Sequence, residues 1–428
     1  MPRCISAPAQ QYKLALAVSM GGMLELYDFI IYGLMASYIA DNFFPSSSSV
    51  TSLLGTFATF TVGYLARPLG GVFFGHFGDR LGRKKTFTQT IVVMAISTAL
   101  MGCLPTHDSV GVLAPVLLVV LRIIQGFSLG GELPGAITYL SESVPERRGL
   151  MVGILYMALM VGISLGTFVQ GILNAALGSE LMRDWGWRIP FLIGGVLGVF
   201  SYLIRRHFSE SGLFMALDQV RARANIPVVE LFRNYRQQVF CALLLMSLCG
   251  SAVTVYGVYM PSYLSTVIGF PRGEVAWHTA VTYLLVAPLS LLAGLATDVF
   301  NRKLLVSLLV LILAAGSYPA FIYFSLPHAD IKDMVLISGV FAAITSGLLP
   351  PLITGLFPTE VRYSGIAITY NLGFAVCGGI APFLSTWLIS FYGNAGPGLL
   401  IGLIALISLF SLLFKWPDYA TQALCNKV

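Results

Sequence analysis

Gly75-His-Phe-Gly-Asp79-Arg-Leu-Gly-Arg83-Lys84 and Gly294-Leu-Ala-Thr-Asp298-Val-Phe-Asn-Arg302-Lys303 carry the same four landmarks. One displacement, 219 residues, separates Gly75 from Gly294, Asp79 from Asp298, Arg83 from Arg302 and Lys84 from Lys303. Both stretches read as short polar loops behind a long apolar block. A second echo, Pro145-Glu-Arg-Arg-Gly149 and Pro358-Thr-Glu-Val-Arg362, stands behind the fourth and tenth such blocks. Four landmarks at one offset, in corresponding loops, argue for a chain built as two copies of one unit. The boundaries read as residues 1–206 for the first six-helix half, 207–238 for a cytoplasmic linker and 239–428 for the second half.

Around these loops the chain is apolar. Of 428 residues 57% are hydrophobic and 10% charged, against roughly 25% charged in an average soluble domain. So few charges cannot cover the surface of a water-soluble protein of this size, so the solvent is lipid. Twelve apolar blocks, from Leu14–Ile39 to Gly398–Phe414, meet the roughly 20 residues a spanning helix needs. They are unbroken rather than alternating, which excludes a barrel. The expected fold class is an all-α integral membrane protein of twelve transmembrane helices in two pseudo-symmetric halves. The N-terminus shows no cleavable signal pattern.

Orientation follows from the 25 Lys and Arg residues. Arg183, Arg188, Arg272 and Lys332 fall in one set of connecting segments, and Arg67 and Arg122 inside apolar blocks. The remaining nineteen fall on the opposite side, which predicts cytoplasmic termini. Placed in this way, the net charge of +6 marks topology rather than nucleic-acid binding. The longest polar stretch, His207 to Gln238, is Arg-rich and fits a helix lying on the inner leaflet. Six scattered cysteines and five scattered histidines form no metal spacing, so neither metal nor cofactor is expected. No HExxH, nucleophile elbow or phosphate-cradling loop is present, which argues against an enzyme or an ATP-driven pump.

The loop pattern G-x-x-x-D-R-x-G-R-K over Gly75–Lys84 resembles the major facilitator superfamily. A finer likeness, to its metabolite–proton symporter branch, runs through almost the whole chain. It rests on Glu25-Leu-Tyr27-Asp28-Phe29 with Tyr32, Arg67-Pro68-Leu-Gly-Gly71, and Gln125-Gly126-Phe127-Ser128 with Gly130-Gly131-Glu132. Trp185-Gly-Trp187-Arg188-Ile-Pro190-Phe191 and Phe357-Pro358-Thr-Glu-Val-Arg362-Tyr363-Ser-Gly365 complete it. The resemblance implies uptake of a small carboxylate or a zwitterion, such as proline or betaine, together with protons. It also implies a bacterial inner-membrane location and rocking of one half against the other. Asp79, Arg83, Asp298 and Arg302 would then hold the cytoplasmic side shut; their plain reading is loop solvation and topology. The osmosensing members of the branch have a C-terminal coiled-coil tail, and no heptads follow the last span here. Span five lacks the Gly-Pro pair of the superfamily's drug antiporters, which favours symport.

An ionisable side chain inside a span costs roughly 2.5–3.5 kcal/mol on insertion scales and so faces the interior of the bundle. Five are found, Glu25, Asp28, Arg67, Arg122 and Glu132, all in the first half. Glu25, Asp28 and Tyr32 share one helix face. Two acids one turn apart in low dielectric are not comfortably ionised together, which suits a proton carrier; the alternative is permanent pairing of one acid with Arg67 or Arg122. Arg122, one turn from Gln125, either takes a substrate carboxylate bidentately or pairs with Asp28 or Glu25. Glu132 either relays the proton inward or pairs with an Arg at the gate. Arg67 before Pro68 reads as structural or substrate-binding. In the second half Tyr256, Tyr259 and Tyr263 share a face and Asn371 lies in span eleven; these serve packing or a substrate wall able to hold a cation. The expected partners are a small organic acid or zwitterion, protons and the bilayer, with the chain monomeric. An uncoupled facilitator, its buried charges purely structural, is the competing class.

Overall fold

The computed structural model describes residues 8–45, 49–207, 210, 215, 227–414 and 416. Twelve long helices run through them. They are α1 (Pro8–Leu34), α2 (Ser49–Leu81), α3 (Arg83–Gly102), α4 (Leu113–Ser143), α5 (Arg148–Leu181), α6 (Arg188–Arg205), α7 (Arg236–Val253), α8 (Arg272–Val299), α9 (Arg302–Phe324), α10 (Ile331–Ile353), α11 (Arg362–Leu372) and α12 (Gly396–Ser408). Three of them continue past these bounds. After α1 the chain resumes as Ala36–Phe43; α7 runs through π-helical turns to Ile268, and α11 through the π-turn Gly373–Gly378 to Tyr392. Each of the twelve apolar blocks is a helix, because in hydrocarbon every backbone N–H must find its acceptor inside its own segment. Pro68, Pro134, Pro288, Pro319 and Pro382 sit inside helices, as neighbouring helices allow in a bundle. Leu65, Leu69, Val196, Leu285, Phe383 and Leu413 are exposed, as an apolar solvent permits.

Two expectations are corrected. Gly75–Arg80 is not loop but the last turns of α2, and Gly294–Asp298 ends α8; apolar neighbours carry the helix past the hydrophobic block. The linker expectation lies largely outside the described residues, Arg221 and Arg223 with it. Within it Pro227–Asn234 is a helix that buries Leu231 and exposes Val229 and Phe232.

The first six helices meet the last six along two seams, α5 against α8 and α2 against α11. Glycine lets these seams close at the face that carries Arg83 and Arg302, called the basic face below. A Cβ on Gly294 would lie 2.7 Å from the Gly153 Cα, and one on Gly75 would lie 2.9 Å from the Ser364 Cα. At the opposite face the same helices part. A Cβ on Gly171, Gly273 or Gly379 would meet nothing within 4 Å, and a cleft of about 590 Å³ separates Gln170 and Asn174 from Gly273 and Trp277. The cleft ends where Ser164 Oγ donates to the Ala280 carbonyl at 2.9 Å. The bundle is therefore shut on the basic face and splayed on the other.

Candidate functional site

Close packing of α2 on α4 builds the polar interior. A Cβ on Gly130 would lie 2.5 Å from the Gly71 amide nitrogen, so only glycine lets the two backbones meet. This contact brings Arg67 of α2 and Arg122 of α4 toward the acids of α1. Arg67 Nη2 donates to Glu25 Oε1 at 2.9 Å, and the Arg67 guanidinium lies 5.4 Å from the Tyr64 ring centroid. Asp28 is not paired with an arginine. Its Oδ2 accepts from Thr98 Oγ1 at 2.7 Å, and Thr98 Oγ1 accepts from Gln125 Nε2 at 2.8 Å. Gln125 Oε1 accepts in turn from Arg122 Nη1. The Arg122 guanidinium lies flat on the Tyr32 ring, 3.4 Å from its centroid, and the Tyr32 hydroxyl donates to the Thr56 carbonyl.

Several buried atoms in this cluster have no hydrogen-bond partner: Glu25 Oε2, Asp28 Oδ1, Arg67 Nε, and Nε and Nη2 of Arg122. Buried polar atoms are costly to leave unmade. The cleft lined by Phe60, Tyr64, Arg67, Arg122 and Gln125 holds about 20 Å³, room for a single water rather than a metabolite.

Toward the basic face Glu132 is fully engaged. Arg205 Nη2 donates to its Oε1 at 2.7 Å and Thr90 Oγ1 to its Oε2 at 2.5 Å. Arg205 also donates to the Val18 and Phe87 carbonyls and lies 3.8 Å over the Phe87 ring. By position Arg205 is one of the nineteen cations that mark topology; the structure buries it completely, because the last turn of α6 packs against α1 and α3.

The charged cluster at the basic face departs further from a solvated loop. Asp79 and Arg83 are buried and joined at 2.9 Å. Arg83 donates to both oxygens of Glu142 at 3.1 and 3.3 Å and reaches across to the Thr359 carbonyl at 2.6 Å. Arg362 Nη1 shares Glu142 Oε1 at 3.0 Å. Asp79 accepts from the Tyr363 and Ser364 amides at 3.2 and 2.9 Å, capping α11. Asp298 accepts from the Gly149 and Leu150 amides at 2.8 Å each, capping α5. Each aspartate thus closes its ring of hydrogen bonds on the N-terminus of a helix from the other six-helix set. Arg302 is half-buried as the first residue of α9.

The sequence matches the family model described as Major Facilitator Superfamily over residues 18–273 and 239–426. The chain belongs to the Major Facilitator Superfamily. A Staphylococcus aureus (strain COL) protein named "Putative proline/betaine transporter" is 32% identical over 96% of this chain and 90% of its own length. A citrate-proton symporter of Klebsiella pneumoniae is 32% identical over 94% of this chain and 91% of its own. The solved proton:xylose symporter XylE, bound to 6-bromo-6-deoxy-D-glucose, shares the fold with a TM-score of 0.79 at 17% identity, covering 97% of this chain and 99% of that one. The protein is accordingly a multi-pass membrane transporter of small molecules, not an enzyme.

Of the residues singled out in this transporter, the fold gathers Glu25, Asp28, Tyr32, Arg67, Arg122 and Gln125 into one cluster. Asn371 joins from α11, its Nδ2 donating to the Gly130 carbonyl at 2.7 Å while Oδ1 has no partner. The tyrosine stripe is not brought there. Tyr256 packs on Phe321 and Phe341, the Tyr259 hydroxyl lies 3.0 Å from Thr386 Oγ1, and Tyr263 donates to the Asn394 carbonyl at 2.9 Å. Those contacts all lie within the last six helices. Sequence reasoning missed Thr98, Thr90, Glu142 and the interior role of Arg205. Thr98 and Thr90 carry no charge to draw attention, whereas Glu142 stands three residues before the echoed Pro145.

Proposed function

We propose that this transporter is a proton-driven symporter importing a small carboxylate-bearing metabolite by alternating access. It would work from the bacterial inner membrane, as a monomer with the basic face and both termini in the cytoplasm. One observation supports the reading most: a buried acid and a buried guanidinium in the same interior, each with an unpaired atom, and neither spent on the other. Glu25 is paired with Arg67 and Glu132 with Arg205, so Asp28 is the acid left to carry the proton. Arg122 is the guanidinium left for the substrate, gripping a carboxylate through Nε and Nη2. The closed basic face supports a conformer that receives both from outside, after which Asp79, Arg83, Asp298 and Arg302 release and the two halves rock. The driving ion is the proton and no cofactor is invoked.

A second reading has its own support. The joined pair Glu25 and Arg67 leaves one open carboxylate oxygen and one open guanidinium nitrogen, groups of both signs such as a zwitterion of the kind named for the Staphylococcus aureus relative would meet. Proteoliposomes test both readings. Citrate, 2-oxoglutarate, proline and betaine are offered with and without an inward proton gradient. Gradient-dependent accumulation of an organic acid is expected. Accumulation of proline or betaine alone selects the zwitterion, and uptake unchanged by a protonophore leaves an uncoupled facilitator.

A further inference from the structure

Asp28 and Arg122 do not touch, yet a single chain of hydrogen bonds joins them. Thr98 donates to Asp28, Gln125 donates to Thr98, and Arg122 donates to Gln125. Every member is at least 95% buried, so water does not stand in for any link. The chain has a direction. An ionised Asp28 only accepts, so the Thr98 hydroxyl must donate to it and accept from the Gln125 NH₂ group. That leaves the Gln125 carbonyl facing Arg122, which it holds.

We infer that Thr98 and Gln125 are positioning residues that report the protonation of Asp28 to Arg122 by a half-turn of the Gln125 amide. This rests on the symport reading above and adds its coupling step. A proton arriving on Asp28 Oδ2 turns that oxygen into a donor toward Thr98 Oγ1. The Thr98 hydroxyl hydrogen then has to point at Gln125, which can accept it only through Oε1. The amide rotates, and its NH₂ group now faces Arg122. Two donors cannot bond each other, so Arg122 Nη1 is set free beside its already open Nε and Nη2. The guanidinium is then complete for a substrate carboxylate. Only one proton is gained in the whole sequence, by Asp28; every other change is a rotation.

The charged and titratable surroundings leave Asp28 as the input. On its own helix Glu25 is held by Arg67, and the Tyr27 and Tyr32 hydroxyls donate to the Pro190 and Thr56 carbonyls. From α2 come Tyr64 and Arg67, and from α4 come Arg122 and Glu132, the latter held by Arg205 of α6. Thr98 is what α3 presents to Asp28, and α6 presents Gly194 there. Tyr156 of α5 is a phenol, near Glu25 rather than Asp28.

Infrared difference spectroscopy of the reconstituted full chain tests the relay without a substrate. Spectra are taken through a pH titration, with the Asp28 carboxyl band assigned by its loss in Asp28→Asn and the Gln125 amide band by its loss in Gln125→Met. In the wild type both bands are expected to move on one titration curve. In Thr98→Val, or Thr98→Ala if the valine variant does not fold, the carboxyl band should still titrate while the amide band stays still. Thr98→Ser should restore the joint movement. An amide band that follows the carboxyl in Thr98→Val, or stays still in the wild type, overturns the relay. A wild type with no titrating Asp28 band overturns the relay and the proton-carrier role together. Failed gradient-driven uptake with both bands moving overturns symport alone.

Discussion

The interior faces of α1–α6 and of α7–α12 are built from different chemistry. Among the described residues the first set buries Glu25, Asp28, Arg67, Asp79, Arg83, Arg122, Glu132, Glu142, Arg148 and Arg205, five of them away from its ends; the last set buries Arg362 alone of its charged side chains, and at its end. What the last set brings to the middle is neutral, with Asn371 reaching α4 and Tyr370 stacked on Phe374 at 4.6 Å. The seams repeat the contrast. Both aspartates accept from two backbone amides, but Asp79 is buried in a network of Arg83, Glu142 and Arg362, whereas Asp298, at the matching place, is half-buried with Arg148 and Arg147 as its neighbouring charges. Duplicated units have thus kept their backbone geometry and divided their labour. One set buries the charged side chains of the interior, and the other closes over them with neutral ones.

Predictions that strain this division run from total loss to a small shift. Asp28→Asn should abolish gradient-driven accumulation in proteoliposomes and spare counterflow exchange; retained accumulation would move proton handling elsewhere. Glu142→Gln leaves Arg362 without this carboxylate and Arg83 still joined to Asp79; breaking a buried pair costs about 3–5 kcal/mol, so a large fall in thermal stability in detergent is expected. Arg122→Lys replaces a planar fork by a point charge; loss of a charged hydrogen bond of about 1.5–3 kcal/mol weakens carboxylate binding tenfold to a hundredfold, and unaltered affinity would make Arg122 structural. Asp298→Asn keeps an acceptor but removes the charge at the α5 N-terminus, worth about 1–2 kcal/mol in a partly buried place. Its loss of stability should be smaller than that of Asp79→Asn, and an equal loss would erase the asymmetry of the seams. Tyr263→Phe removes one hydrogen bond inside the last set, about 1 kcal/mol, and should leave transport kinetics unchanged.

Much of this was legible before any coordinates. Glu25, Asp28 and Tyr32 were placed on one face by helical period alone, and all three are buried. The close approach of Gly70-Gly71 to Gly130-Gly131, residues the sequence shows as paired glycines, is what sets Arg67 beside the acids. The errors share one cause. Arg205 and Arg362 count among the nineteen cations that mark topology, and Asp79 and Arg83 read as loop, because a run of charges near a helix end looks the same whether water or a carboxylate meets it. The tyrosine stripe was ambiguous for a similar reason: period fixes a shared face but not what the face looks upon, and the aromatic face at Tyr256 looks upon Phe321 and Phe341.

Twelve spans, a biased distribution of cations and two matched units are properties of segments taken one at a time. The bilayer imposes them through length, apolarity and backbone hydrogen bonding, and so they can be read along the chain. Which guanidinium meets which carboxylate is not such a property. Arg67 finds Glu25 across 42 residues, Arg205 finds Glu132 across 73, and Arg362 finds Glu142 across 220. In a low-dielectric interior each buried charge must be matched, but several matches would satisfy that demand equally well. Helix packing selects one, and it leaves Asp28 and Arg122 linked only through Thr98 and Gln125.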